Sequence, residues 1–203
     1  KTGKTVGCIV WLHEQALLAK HPYQHYWWIA PVRKQAEIAF WRMLRMMPEG
    51  WFTVNKSDLV LTVKLTKAII TFKSAEIPDN LFGEDVWAAV FDEASRGREE
   101  AWHALNSTLT KTMGPVRFIG NVKGRLNWFY RDARKAENGE PGSAFFRITA
   151  YDAISSGVLQ EKSIEDAKRR MPANVFKELF LAEAGDDSGN PFGADNIDAC
   201  VGP

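Results

Sequence analysis

The sequence has little cysteine, no long apolar run and almost no excess of charge. Its two cysteines form neither a disulfide framework nor a CxxC pair, which favours a reducing compartment. No stretch approaches the roughly 18 apolar residues needed to cross a bilayer, and no signal peptide opens the chain. A net charge of +1 gives no global attraction to nucleic acid, so any DNA contact requires a local basic patch. We therefore expect a soluble cytoplasmic protein with no membrane partner.

The sequence does contain many apolar residues, which fall into strand-like runs and helix-like patterns. Its 203 residues include eight Trp and twelve Phe, enough for the core of one good-sized domain with a small appendage. Short apolar runs alternate with helical patterns, as is typical of an open α/β sheet with helices on its faces. The patterns predict helices over 5–20, 33–47, 98–110 and 124–138, strands over 26–30, 88–91, 116–120 and 145–149, and a hairpin of 59–65 with 68–73.

An acidic pair, Asp92 and Glu93, stands directly after the apolar run 88–91. A short apolar run bounded by polar residues predicts a strand that is buried on both faces. Ligands of open α/β sheets bind at the carboxyl ends of such strands, which makes the pair a candidate site. The alternative is a strand that stops at a solvated turn. The choice depends on the rest of the chain, because an apolar run ending in Asp-Glu is common.

The first five residues read KTGKT and match the end of the phosphate-binding pattern GxxxxGK[ST]. In that pattern Lys4 reaches the β and γ phosphates of a nucleotide, and Thr5 supplies a hydroxyl ligand to magnesium. The helix predicted to follow points its free N–H groups at the same anion. The alternative is a chance tripeptide. Because the first glycine of the pattern would precede residue 1, we expect a sheet without the strand that normally carries this loop.

Polar groups also follow the predicted strand 116–120. Asn121 comes directly after this strand, where an amide either contacts a terminal phosphate or forms a turn. The segment 124–138 then presents basic side chains among aromatic ones, which suits contact with DNA phosphates or a solvated helix face. Its basic residues are Arg125, Arg131, Arg134 and Lys135.

The character of the chain changes at residue 152. The following segment predicts two short helices, one capped by Ser163 and one opened by Pro172 that runs to about residue 184. A polar, Gly-rich stretch after it is typical of a linker. We therefore divide the chain into a core of 1–151, a helical lid of 152–184 and a linker of 185–203.

The order of the motifs GKT, DNLFG, VFDEA and FIGN resembles that of the ATPase domain of the large terminase subunit of tailed bacteriophages, the motor that packages viral DNA. The most specific parts are the spacing of SAEIPDNLFG before VWAAVFDEAS and the block FIGNVKGRLNWFY after it. The resemblance covers nearly the whole chain. It implies a P-loop NTPase fold of the ASCE type, with a mostly parallel central sheet flanked by helices and a small helical lid.

The resemblance also implies a role for each motif. Asp92 corresponds to the Walker B aspartate and holds magnesium together with Thr5, while Glu93 corresponds to the catalytic carboxylate. Gly120 and Asn121 correspond to the coupling motif that links hydrolysis to movement. ATP then binds to the end of a Walker A motif formed by Lys1, Thr2, Gly3, Lys4 and Thr5.

One position departs from the family pattern. Many relatives carry an arginine immediately before the glycine matched by Gly83, whereas this chain has Phe82. An arginine finger from that position is therefore in doubt. The replacement candidates are Arg96, Arg98 and Arg125.

The implied activity is ATP hydrolysis that powers translocation of double-stranded viral DNA into a procapsid. The implied partners are duplex DNA, a portal ring, the small terminase subunit and further copies of the chain in a ring, all in the host bacterial cytoplasm. A downstream nuclease domain is also implied, but only about fifty residues follow Thr149, too few for such a domain by ordinary size. We therefore expect no DNA cleavage by this chain and assign no metal to Asp195 or Asp198.

Two rival functions remain open. Another DNA-stimulated translocase or a helicase shares the same core but needs further nucleic-acid motifs or a second core domain. A scaffold with the NTPase fold binds partners without catalysis. The joint presence of Lys4, Asp92 and Glu93 argues against the scaffold.

Overall fold

The computed structural model describes residues 3–185. Lys1, Thr2 and nearly all of the predicted linker therefore lie outside the described residues. The chain divides into two compact units, one of residues 4–120 and one that contains residues 121–185. The division into a core, a lid and a linker stays a prediction.

A six-stranded sheet organises the first unit. Its strands are β1 His25–Ala30, β2 Phe52–Asn55, β3 Val60–Val63, β4 Ile69–Ser74, β5 Val86–Phe91 and β6 Val116–Phe118. They lie in the order β2-β3-β4-β1-β5-β6. The pairs β1–β4, β1–β5 and β5–β6 are parallel, whereas β2–β3 and β3–β4 are antiparallel. The predicted α/β class with a mostly parallel sheet is confirmed.

Helices cover both faces of the central strands. The helices of this unit are α1 Lys4–Leu17, α2 Arg33–Met46 and α3 Glu99–Leu109. On one face, α1 and α2 pack against a buried core to which β1 contributes Trp28 and β5 contributes Val90. On the other face, Trp102 of α3 meets the ring of Phe118 edge-on, with centroids 4.8 Å apart. Burial on both faces explains why β1 and β5 have continuous apolar sequences.

Two local features of the first unit differ from expectation. The first helix ends at Leu17, three residues before the predicted Lys20. The predicted hairpin is confirmed as β3 and β4, but it has a third antiparallel member, β2, which the sequence pattern did not identify. β2 is only four residues long, with Phe52 buried and Thr53 exposed, so its alternation is too short to distinguish from a loop.

The second unit consists of short helices. They are α4 Trp128–Glu137, α5 Ala150–Ser155, α6 Glu161–Arg170 and α7 Ala173–Phe176, which continues into a π-helical turn over Lys177–Leu181. Ala150, Ile164 and Phe176 form its small buried cluster. A capping box in which Thr149 and Asp152 bond each other's backbone N–H groups starts α5.

Two predictions for the second unit are wrong. Residues 145–149 form no strand, because no strand of the described residues 3–185 pairs with them. Phe146 is 84% exposed, and Arg147 donates to the carbonyl of Leu181 and the carboxylate of Glu183. α6 begins two residues before the predicted Ser163 cap. The helix after Pro172 does begin there but ends at Leu181. Within residues 3–185, no helix combines the length and the apolar character needed to span a bilayer.

Candidate functional site

The turn that follows β5 is tied to both neighbouring strands. The backbone N–H of Asp92 donates to the carbonyl of Ile29, the fifth residue of β1, at 2.8 Å. The N–H of Ala94 donates to the carbonyl of Ile119, just past β6, at 3.0 Å. Because the three strands are parallel, these bonds hold the acidic pair at the carboxyl edge of the sheet.

Glu93 has a strained backbone. Its φ of 48° and ψ of 42° lie in the left-handed region, which residues with a Cβ rarely adopt. Its N–H donates to Asp92 Oδ1 at 3.0 Å, and its carbonyl accepts from the N–H of Arg96 at 2.8 Å. Such strain persists only where the surrounding structure over-determines it, and it is concentrated at functional sites.

Lys4 lies with the acidic pair. It is the first residue of α1, and its Nζ donates to the carbonyl of Gly120 at 3.2 Å. Burial lowers the pKa of the Lys4 ammonium group, while the charges of Glu93 and Asp92 act in the opposite direction. A partly buried cation at a helix amino terminus, where N–H groups are unpaired within the helix, is suited to binding an anion.

Asp92 is the most perturbed acid at this edge. Burial first, and then the charge of Glu93, raise its pKa to about 6, while the N–H of Glu93 and the charges of Arg42 and Lys4 oppose the shift. A half-buried carboxylate beside a second carboxylate gains from a divalent cation, so the chemistry of these two side chains fits magnesium. Magnesium is typically held by one or two carboxylates together with substrate phosphates. Within residues 3–185, no cluster of three or more His, Cys, Asp or Glu suits a metal.

Two further members of the predicted nucleotide site stand at the start of α1. Gly3 has a φ of +81° and directly precedes α1, which matches the conformational freedom expected of a glycine in a phosphate loop. Thr5 is half-buried in the first turn of α1. Their roles toward nucleotide and metal stay predictions.

Gly120 lies in close contact with the acidic turn. A Cβ at this position would stand 3.2 Å from the backbone N of Ala94 and 3.4 Å from the Cα of Glu93. β6 is the parallel neighbour of β5. Asn121 begins the second unit and is half-buried. A larger residue at this position would press on the backbone that positions Glu93, and that backbone would have to shift by a few tenths of an ångström.

The arginine-finger candidates lie in different settings. Arg96 Nε stands 3.7 Å from Glu93 Oε2 in the same turn. Arg98 is the exposed residue that precedes α3. Arg125 is exposed in the second unit. Arg96 is thus the candidate with a described ion pair to the predicted catalytic acid.

The basic face of α4 is partly neutralised within the second unit. Arg134 pairs with Glu137 and stacks between the rings of Tyr130 and Phe145, at 5.2 and 5.1 Å from their centroids. Lys135 Nζ pairs with Asp132 at 2.8 Å. Arg131 is exposed on the same helix. DNA contact by these three basic residues stays a prediction, and the ion pairs reduce the charge available for it.

Sequence reasoning missed one charged neighbour of the site. Arg42 of α2 acts electrostatically on Asp92 from the helix beside α1. No motif surrounds Arg42 in the sequence, and its approach to Asp92 depends on how α2 packs on the sheet. The sequence alone predicts only that Arg42 lies on the polar side of an amphipathic helix.

Solved structures similar to this chain include large terminase ATPase domains. The ATPase domain from Thermus phage P74-26 matches with a TM-score of 0.74 and 23% identity over 91% of this chain and 85% of that chain. This chain has the fold of a large terminase ATPase domain. The HK97 bacteriophage large terminase matches with a TM-score of 0.71 and 17% identity over 91% of this chain and 45% of that chain.

A third terminase structure carries a nucleotide analogue. It is the large terminase of a thermophilic bacteriophage in complex with ATP-γ-S, which matches with a TM-score of 0.73 and 16% identity. The match covers 90% of this chain and 45% of that chain, so this terminase-like fold spans about half of the longer proteins. No protein-family model and no curated protein sequence matches the chain. The terminase comparison therefore rests on structure, and at these identities it concerns the fold.

Proposed function

We propose that this protein is an ATPase that powers translocation of double-stranded viral DNA into a procapsid. The observation that carries the proposal is the meeting of Lys4, Asp92 and Glu93 at the carboxyl edge of a terminase-like sheet. These residues are 88 and 89 positions apart in sequence, and a scaffold without catalysis has no need of a half-buried lysine beside two acids. Similar folds include one terminase solved with ATP-γ-S and one solved with ADP.

Charge neutralisation is the first task of this chain in the proposed reaction. Phosphoryl transfer to water leaves little covalent work for the protein, so catalysis depends on positioning and electrostatics. Lys4 neutralises the β and γ phosphates of ATP, and the free N–H groups at the start of α1 add to its effect. Thr5 and Asp92 would hold magnesium, which supplies further neutralisation of the phosphate oxygens when bound.

Glu93 has the second task, which is to orient and polarise the attacking water. A carboxylate accepts a hydrogen bond from water and takes its proton as the bond to phosphorus forms. The left-handed backbone of Glu93 and its bond to Asp92 Oδ1 set the direction in which this carboxylate leaves the turn.

Coupling to movement is assigned to Gly120 and Asn121. Lys4 donates to the Gly120 carbonyl, and Gly120 packs on the backbone of Glu93 and Ala94. A change at the phosphate therefore has a short covalent and hydrogen-bonded route into the segment that follows β6. Duplex DNA, a portal ring, a small terminase subunit and further copies of the chain are the proposed partners, in the cytoplasm of the bacterial host.

The decisive experiment is ATP turnover by the complete protein, measured with and without linear duplex DNA and with and without portal rings. A terminase motor is expected to hydrolyse ATP and to respond to both additions. Stimulation by DNA alone, with no response to portal rings, favours another translocase or a helicase. Absence of turnover under every condition contradicts the proposed function and favours a scaffold.

A further inference from the structure

The turn between Asp92 and Gly97 is built rigidly around Glu93. Ala94 and Ser95 are buried, and the N–H groups of Arg96 and Gly97 donate to the carbonyls of Glu93 and Ala94 at 2.8 and 3.0 Å. A Cβ at Gly97 would stand 2.6 Å from the ring of Phe91, so a larger residue here would require that buried ring to move. The backbone that carries both Glu93 and Arg96 is therefore fixed from both ends.

Within this rigid turn, one side-chain contact reaches the Glu93 carboxylate. Arg96 Nε stands 3.7 Å from Glu93 Oε2, and it forms the one ion pair of Glu93 within residues 3–185. The side chains are 61% and 39% exposed, so this pair is solvated and adjustable. The backbone fixes the position from which the Glu93 side chain leaves the turn, and the ion pair with Arg96 favours one orientation of its carboxylate oxygens.

We propose that Arg96 is a positioning residue that orients the Glu93 carboxylate of its own chain, and that it does not act as an arginine finger on a neighbouring copy. The inference rests on the proposed function, because it assumes that Glu93 orients the attacking water. An arginine used in trans has to extend away from its own acid, whereas Arg96 closes back on Glu93 three residues earlier. Extension toward another copy would break this pair.

The two roles predict effects of very different size. An exposed ion pair shifts an equilibrium by about fivefold at most. Removing an arginine finger costs about 10³-fold or more in hydrolysis rate. For Arg96→Ala we expect kcat to fall by about two- to fivefold with KM for ATP unchanged, because nucleotide binding does not use this pair. Arg96→Lys keeps the charge and should recover most of the loss.

The test is steady-state ATP turnover by the complete protein carrying each variant, with linear duplex DNA present. Lys111→Ala is the matched control, because Lys111 is also an exposed cation in an ion pair with an acid, Asp85, next to β5. This control should leave both kcat and KM unchanged. Glu93→Gln is measured in parallel: if that variant stays active, the proposed function itself has failed, whatever Arg96→Ala shows.

Mixing variants separates the two roles a second time. Arg96→Ala subunits keep Glu93, and Glu93→Gln subunits keep Arg96, so a finger acting in trans would restore activity in the mixture. An orienting residue acting within its own chain restores nothing beyond the activity of the Arg96→Ala subunits alone. A loss above about tenfold, recovery on mixing, or a kcat equal to that of the unmodified protein would each overturn the proposal.

Discussion

The two ends of β5 carry acidic pairs of the same composition in opposite electrostatic settings. Before the strand, Glu84 Oε2 lies 3.3 Å from His25 Nδ1 and 3.9 Å from Lys73 Nζ, and Asp85 pairs with Lys111. After the strand, Asp92 is half-buried beside Glu93, and desolvation and the Glu93 charge raise its pKa to about 6. The first pair is matched by nearby cations in solvent. In the second pair, desolvation and the neighbouring Glu93 disfavour the charged form of Asp92.

This difference separates a structural arrangement from a functional one. Exposed acids paired with cations cost little and contribute little to stability. A carboxylate held in an unfavourable place lowers stability, and proteins retain such groups where chemistry needs them. The amino edge of the sheet therefore has the character of a solvated surface, whereas the carboxyl edge has the charge arrangement that the proposed nucleotide site requires.

The largest expected effect is on hydrolysis, through Glu93→Gln. The amide cannot accept a proton from water, so turnover should fall by about 10³-fold while nucleotide binding persists. Steady-state turnover and a nucleotide titration by calorimetry measure the two quantities. Glu84→Gln, the same change before β5, is the matched control and should keep full turnover. An active Glu93→Gln variant would remove Glu93 from its proposed role.

The next effect is on nucleotide affinity, through Lys4→Ala. Loss of a charge-assisted contact to the phosphates should weaken ATP binding by about 10- to 100-fold. Isothermal calorimetry at matched ionic strength gives the dissociation constant. Lys111→Ala removes a cation beside the other end of β5 and should leave the constant unchanged. Equal binding by Lys4→Ala and the unmodified protein would rule out the phosphate-loop assignment.

The third effect is on the free energy of unfolding, through Asp92→Asn, which tests whether the charge of Asp92 destabilises the folded protein. Burial and Glu93 raise the pKa of Asp92 from 3.8 to about 6, so the folded chain holds this proton more tightly than the unfolded chain does. The contribution of Asp92 to the free energy of unfolding therefore falls as pH rises from about 4 to 6, and the full penalty applies above that window. Replacing the carboxylate by an amide should stabilise the protein by about 1 to 3 kcal/mol at neutral pH.

Chemical denaturation without nucleotide and with a metal chelator measures this stability difference. The gain in Asp92→Asn should be present at pH 7.5 and should shrink toward zero near pH 4, where the unmodified carboxyl is protonated in both states. A destabilised variant at pH 7.5 would show that Asp92 is a favourable structural charge, and the contrast between the two ends of β5 would disappear.

The smallest effect is expected for Asp85→Asn. Its ion pair with Lys111 is exposed, so its loss should cost at most about 1 kcal/mol, and the cost should vanish at high salt. Denaturation at two salt concentrations measures it, with Asp92→Asn as the comparison of opposite sign. A cost above about 2 kcal/mol would show that this pair stabilises the protein more than an exposed ion pair does, against the description of the amino edge as a solvated surface.

The strongest sequence patterns predicted the fold best. The continuous apolar run of β5 and the alternation in β3 and β4 were recognisable because burial on two faces or one face dictates them. The pattern over 145–149 has the same β-branched and aromatic composition, but no strand of the described residues pairs with it. Composition alone therefore led to a wrong strand prediction. β2 was missed because four residues carry too little periodicity.

The candidate site shows the same limit. The residue types at Gly3, Lys4, Asp92 and Glu93 were recognisable as motifs, because phosphate and magnesium chemistry require those groups at those spacings. The bond from Lys4 to Gly120, the influence of Arg42 on Asp92 and the pairing of Arg96 with Glu93 were not recognisable. Each depends on how separate elements pack, and no local pattern encodes it.

The sequence by itself determined the fold class, the edge of the sheet that carries the acidic pair, and the residue types available for phosphate chemistry. Local periodicity and motif spacing suffice for these properties, because they follow from backbone geometry and from the chemistry of each side chain. Only the tertiary structure decided which acids are neutralised. The pairs 84–85 and 92–93 have the same residue composition, one aspartate and one glutamate each. They differ in burial and in neighbouring charges, which set the pKa of a carboxyl group and arise from contacts distant in sequence.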